Sequence, residues 1–122
     1  MIKLKSRWFA KWAKKNNIKD SDLVITIGNL KQNKSTVNLG SNLYKVRIAK
    51  PSRGKSGGHR TLVVHMQGNR AIYIYGFSKN EKDNLSKDEL KDFRELSKTL
   101  SKITIKEIDK VVANKIYFRL EE

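Results

Sequence analysis

The chain has 122 residues, no cysteine, one proline and a net charge of +15. That length supports one domain with a modest core, and the lack of cysteine excludes a disulfide framework and thiolate metal sites. No apolar run approaches the roughly 20 residues of a membrane-spanning helix, and the basic start MIKLKSRWFAKWAKK lacks the apolar stretch and small-residue cleavage site of a signal peptide. A cytoplasmic protein without a membrane partner is expected. The charge is unevenly placed. Residues 1–80 hold 17 lysines and arginines against only Asp20 and Asp22, whereas residues 81–122 hold ten basic and ten acidic side chains. A lysine coat serving solubility alone would be spread evenly; a concentrated excess points to a polyanion, and nucleic acid is the default.

In chain order, Trp8, Phe9, Trp12 and Ala13 recur at helical spacing with Lys11, Lys14 and Lys15 opposite, and Asn16-Asn17 ends that helix. Asp20 or Ser21 caps a second helix carrying Leu23, Ile27 and Leu30, so the two segments read as an αα-hairpin. Leu43–Ala49 reads as a strand in which Tyr44, Val46 and Ile48 alternate with Lys45, Arg47 and Ala49. After a loop, TLVVHM and AIYIYGF read as two strands joined at Gln67-Gly68-Asn69-Arg70, completing an antiparallel meander. Ser86 and Glu89 form a capping box, with Leu85 and Leu90 as staple, ahead of a helix bearing Leu90, Phe93, Leu96, Ser97 and Leu100. Thr104 and Glu107, with Ile103 and Ile108, repeat the device for a second short helix to about Ala113, and Ile116–Leu120 is a last strand or an extended tail. The expectation is a single α+β domain over 1–122: an N-terminal αα-hairpin, a small antiparallel meander and C-terminal helices, with the helices on one face of the sheet.

The loop between the first two of these strands carries RGKSGGHR, residues 53–60. It resembles a nucleotide P-loop only superficially. The P-loop glycine five residues before Gly54-Lys55 is replaced by Ala49, and a strand follows where a helix N-terminus would be needed. The alternative is a loop for backbone phosphate. Glycines permit positive φ and close approach, successive N–H groups can form an anion nest, and Lys55 and Arg60 add charge. In the meander, Lys45, Arg47, Lys55, Arg60 and Lys79 would converge on one basic face. The aromatic run Tyr73, Tyr75, Phe77 lies beside it, suited either to stacking bases or to packing against helices. Cys is absent and only His59 and His65 occur, so no metal is expected; His65 alternates within a strand and reads as a packed or surface residue.

The segments LGSNLYKVRIAKPSRGKSGGHRTLVV and IYIYGFSKNEKDNLSKDELKDF, with FAKWAKKNNIKDSDL before them, resemble the RelE/ParE/HigB superfamily of toxin–antitoxin toxins, nearest its HigB-like branch. The resemblance runs from about residue 8 to 101; the segment 103–122 is an extra helix and tail beyond it. It implies a small RelE-like fold, entry into the ribosomal A site, cleavage of mRNA there, and neutralisation by a cognate antitoxin. It places Arg60 and Lys79 at catalytic positions, Lys45, Arg47 and Lys55 at positions that hold RNA, and Tyr75 or Phe77 where a base would stack. His59 stands where the branch often has Tyr or Phe, and Ser78 where Ala is frequent.

The chemistry needs no cofactor. RNA carries its own nucleophile, the 2′-OH; what is required is charge stabilisation at phosphorus, for which Arg60 is suited, and proton transfer, for which Lys79 is the candidate and Glu81 a nearby alternative. Two other readings stay open at this level. One is a ParE-like toxin acting on DNA gyrase without nuclease activity; the other is a non-enzymatic nucleic-acid-binding module, which would show salt-dependent affinity and no products. In each toxin reading the antitoxin should present an acidic segment to the basic face.

Overall fold

The computed structural model describes residues 1–48, 58–79 and 84–122. Within them run strand β1 (Ile2–Ser6), helices α1 (Arg7–Lys15) and α2 (Asp20–Lys31), and strands β2 (Thr36–Gly40), β3 (Leu43–Arg47), β4 (His59–Met66) and β5 (Arg70–Ser78). Helices α3 (Lys87–Lys102) and α4 (Ile105–Ala113) and strand β6 (Tyr117–Arg119) complete the order. The strands form one six-stranded sheet ordered β2-β3-β4-β5-β1-β6. Strands β3, β4 and β5 pair antiparallel in chain order, β1 lies parallel to β5, and β6 pairs antiparallel to β1.

The sheet is therefore larger than the expected meander, and mixed. Strand β1, IKLKS, alternates apolar residues with lysine, and Leu4 is fully buried beside Ile72 of β5. Five residues of that composition match a solvated basic terminus equally well; the slot between β5 and β6 makes them a strand. The edge strand β2 is announced only by the short alternation of Val37 and Leu39; Leu39 packs against the α3–α4 core while Val37 is exposed.

Helices cover both faces, which corrects the one-face expectation. One core joins Phe9, Ala13, Leu23, Ile27 and Leu30 of α1 and α2 to Val46, Val63, Ala71 and Tyr73 of the sheet. The other joins Leu100 and Ile108 of α3 and α4 to Leu4, Leu43, Leu62, Val64, Ile72 and Ile74. The continuous buried runs Thr61–His65 and Arg70–Ile74 are the mark of strands covered on both sides.

Local chemistry sets the helix ends. The Ser6 hydroxyl accepts from the Phe9 N–H at 3.1 Å to start α1, which ends at Asn16 with Asn17 left-handed (φ 56°). Helix α2 begins one residue earlier than an Asp20 cap would place it and two earlier than a Ser21 cap would. Lys19 is its N-cap, and the Asp22 carboxylate accepts the Lys19 N–H at 3.0 Å. Ser86 with Glu89, and Thr104 with Glu107, make reciprocal capping boxes at α3 and α4.

A bulge in β5 decides which face each of its aromatic residues joins. Leu62 pairs with Tyr75 but Val63 pairs with Tyr73, leaving Ile74 as the extra residue. An unbroken strand would put residues 73, 75 and 77 on one face. The bulge instead turns Tyr73 toward α1 and α2, where it stacks on Phe9 at 5.0 Å, and Tyr75 toward α3, 4.8 Å from Phe93. The aromatic run, a single stripe by sequence alternation, is split between two faces.

Candidate functional site

The alternation of β3 buries Tyr44, Val46 and Ile48 against or beside the α1–α2 core and leaves Lys45 and Arg47 on the α3 face with Leu43. Pairing then builds rows across the sheet. Lys45 is opposite Leu62, which is opposite Tyr75; Arg47 is opposite Arg60, which is opposite Phe77. Two guanidinium side chains thus stand directly across from each other on neighbouring strands, an arrangement that costs stability in a sheet. Arg47 is exposed and Lys45 and Arg60 are half-buried. Arg60 Nη1 also donates to the His59 carbonyl at 3.4 Å; a row of two guanidinium groups attracts anions, and phosphate oxygens suit a guanidinium fork.

Lys79 follows the end of β5. Its N–H donates to the Gly58 carbonyl at 2.5 Å, continuing the His59–Ser78 pairing by one step, and its exposed side chain follows Phe77 by two residues, on the Arg60 side by alternation. The described residues therefore put Lys45, Arg47 and Arg60 on one face, with Lys79 just past the end of β5 beside them. Lys55 and the rest of RGKSGG before Gly58, together with Glu81, lie outside the described residues.

The two aromatic candidates differ. Phe77 is only 4% exposed and presents almost no area to a base. Tyr75 is half-buried, flanked by Phe93 and by Trp8, whose ring centroid is 4.7 Å away with the planes at 22°. Helical spacing groups Trp8 on the core-facing stripe with Phe9, Trp12 and Ala13, yet it is 48% exposed. His59 lies on the other face. Its ring meets Trp12 edge-on at 5.7 Å, and Nε2 is 3.3 Å from Asn16 Oδ1. Gly76 sits under Trp12, where a Cβ would come within 2.3 Å of the indole.

Sequence reasoning also misses Arg70, which reads as the end of a hairpin turn. It is buried, its Nη1 donating to the Leu100 and Ile103 carbonyls at 2.9 and 2.8 Å and its Nε to Asn69 Oδ1 at 2.7 Å. It satisfies carbonyls at the C-terminus of α3 and belongs to the scaffold. His65 is buried and edge-on to Tyr44 at the hairpin end of the sheet, away from the basic row. Among the described residues, no group of three or more His, Cys, Asp or Glu gathers where a metal ion could be held, and no helix is long and apolar enough to cross a membrane.

Compared with known proteins, the chain matches the family model described as the RelE toxin of the RelE / RelB toxin–antitoxin system over residues 1–120. The match extends through the C-terminal segment that the motif resemblance leaves outside. No curated protein matches it. The chain belongs to the RelE toxin family of toxin–antitoxin systems.

Proposed function

We propose that this RelE-family chain is a ribosome-dependent endoribonuclease of the HigB-like branch, acting in the cytoplasm on mRNA in the ribosomal A site. One observation supports it above the others: the row Arg47–Arg60–Phe77, with Lys79 across from Gly58 at the same end of the sheet. In the reaction, the 2′-hydroxyl gives up its proton as its oxygen attacks the adjacent phosphorus, the P–O5′ bond breaks, and the departing 5′-oxygen takes a proton, so that one proton passes from O2′ to O5′ overall. The products are a 2′,3′-cyclic phosphate and a 5′-hydroxyl. Arg60 offsets the charge that grows on the phosphoryl oxygens, the largest single contribution such a site can make. Lys79 handles the proton at the 2′- or 5′-oxygen. Lys45, Arg47 and Lys55 hold the backbone, and Tyr75 supports the stacked side of the site. The ribosome supplies alignment of the 2′-oxygen with phosphorus and the leaving oxygen, which a solvated basic row does not impose by itself.

The cognate antitoxin covers this cationic face with an acidic segment. The toxin–antitoxin complex should accordingly bind RNA far more weakly than free toxin, and equal affinities would count against masking.

The test is expression from a tightly controlled promoter with 5′ ends of a reporter mRNA mapped by primer extension. New ends in frame with codons, lost in Arg60→Ala and when translation initiation is blocked, support the proposal. Growth arrest without new ends favours a gyrase-directed toxin. RNA binding with neither effect favours a binding module.

A further inference from the structure

Trp8 is a large aromatic residue left half-exposed in the first turn of a helix whose next residue, Phe9, is fully buried. Its position stems from unequal strand lengths. Strand β1 ends at Ser6, with Lys5 beside Tyr73, while β5 continues to Ser78. Past Tyr73, the side of β5 has no strand neighbour in β1, and Trp8 stacks there on Tyr75. The stack is well supported. Tyr75 is braced by Phe93 at 4.8 Å, and Trp8 lies nearly parallel to Trp12 (10°, centroids 6.5 Å apart). Trp12 is seated in turn over Gly76 and against Phe9. Trp8 is thus held in orientation by the fold while the residue stays 48% exposed.

Its place relative to the basic row is equally specific. Tyr75 and Phe77 are two residues apart on the face that carries Arg60. At a strand rise of about 3.3 Å per residue, the Tyr75 row lies about 7 Å from the Arg47–Arg60–Phe77 row. Across the sheet, Arg60 and Arg47 stand one and two strand spacings, about 5 and 10 Å, to the side of β5 away from Trp8.

We propose that Trp8 is the base-stacking platform of this site: a base of single-stranded RNA, a few nucleotides from the phosphate held by Arg47 and Arg60, lies on its indole. The inference rests on the RNA-cleaving function proposed for this face and adds the residue that positions the strand. Trp8 does not touch the reacting atoms. Because every base has a π-face, the platform sets position and affinity and leaves base identity to other contacts.

The experiment uses the full chain and a short single-stranded RNA with every 2′-oxygen methylated, which removes the nucleophile and leaves binding alone. Indole fluorescence is titrated for wild type, Trp8→Ala and Trp8→Phe at several salt concentrations. The expected result is quenching in wild type, affinity about tenfold or more weaker in Trp8→Ala, and most of the affinity kept in Trp8→Phe, whose remaining indole, Trp12, is not quenched. The salt slope should stay constant across the three, because stacking releases no counterions; a merely structural role for Trp8 would not produce that pattern. No quenching in wild type, quenching that persists in Trp8→Phe, or equal affinity in Trp8→Ala each overturns the platform. If Trp8→Ala fails to fold, the loss of quenching in Trp8→Phe with affinity kept decides the matter. A wild type that binds through Trp8 yet never cuts mRNA keeps the platform and removes the nuclease function. A wild type that cuts mRNA, with Trp8→Ala unchanged in affinity, does the reverse.

Discussion

Arg60 and Arg70 lie ten residues apart at opposite ends of the β4–β5 hairpin, and the fold uses them in opposite ways. At the closed end, Arg70 is 5% exposed and spends its N–H groups on the Leu100 and Ile103 carbonyls and on Asn69. At the open end, Arg60 stands across from Arg47, one strand from Phe77 and two residues from the Gly58–Lys79 pairing. One cation completes a helix terminus; the other, whose Nη1 donates to the His59 carbonyl at 3.4 Å, also stands across from a like charge on the neighbouring strand. Counting positive charge along the sequence treats them alike. They are separated by what each side chain faces, and an arrangement that costs stability is retained most readily where function needs it.

The largest effect that would sharpen this contrast is on activity. Arg60→Ala should slow mRNA cleavage by about 100-fold or more, as loss of one stabilising donor does elsewhere, while thermal unfolding shifts little; a large fall in Tm with activity retained would reverse the assignment. Next, Arg70→Met should lower stability by about 2–4 kcal/mol, because two helix-end carbonyls lose charge-assisted partners, with a fall in Tm of roughly 10 °C. Its cleavage rate well below the new Tm should match wild type, and a specific loss there would break the comparison. Gly76→Ala should cost about 1–3 kcal/mol, since the added methyl meets the Trp12 ring; urea denaturation measures it, and Trp8 fluorescence should change in the same variant.

The smallest effect concerns pH. Burial, and secondarily the nearby Lys31, hold the His65 imidazole below its usual value of 6.5. The unfolded chain then binds the proton more readily than the folded one. His65 therefore contributes full stability above about pH 6.5 and progressively less as pH falls below it toward the lowered folded value. His65→Phe should flatten the Tm profile below about pH 6.5; an unchanged slope would show that other groups carry it.

Much of the scaffold was legible because its signals are local. The capping boxes at Ser86 and Thr104, the alternation through Tyr44, Val46 and Ile48, and the Gly68 turn, left-handed at φ 76°, each depend on residues within a few positions. Strand β1 was not legible, because its partner β5 begins 64 residues after β1 ends. Nor was the bulge at Ile74, which shows only when β4 and β5 are counted against each other. That bulge also shapes the site. It separates Tyr73, a core residue whose hydroxyl donates to the Leu23 carbonyl at 2.7 Å, from Tyr75 beside the basic row. The shared face of Lys45, Arg47 and Arg60 follows from alternation along β3 and β4, which the sequence displays locally. Trp8 was not legible in that way. Helical spacing groups it with Phe9 and Trp12, and only the early end of β1 exposes it.

The central claim is that the open end of the β4–β5 hairpin cuts RNA while the closed end only supports it. Its most direct test is single-turnover cleavage of mRNA on purified ribosomes holding a defined codon in the A site, with wild type, Arg60→Ala and Arg70→Met at a temperature where all three are folded. The account predicts cuts within that codon at similar rates for wild type and Arg70→Met, and cleavage about 100-fold slower or absent for Arg60→Ala. Intact mRNA with wild type, or cleavage by Arg60→Ala at the wild-type rate, would contradict it.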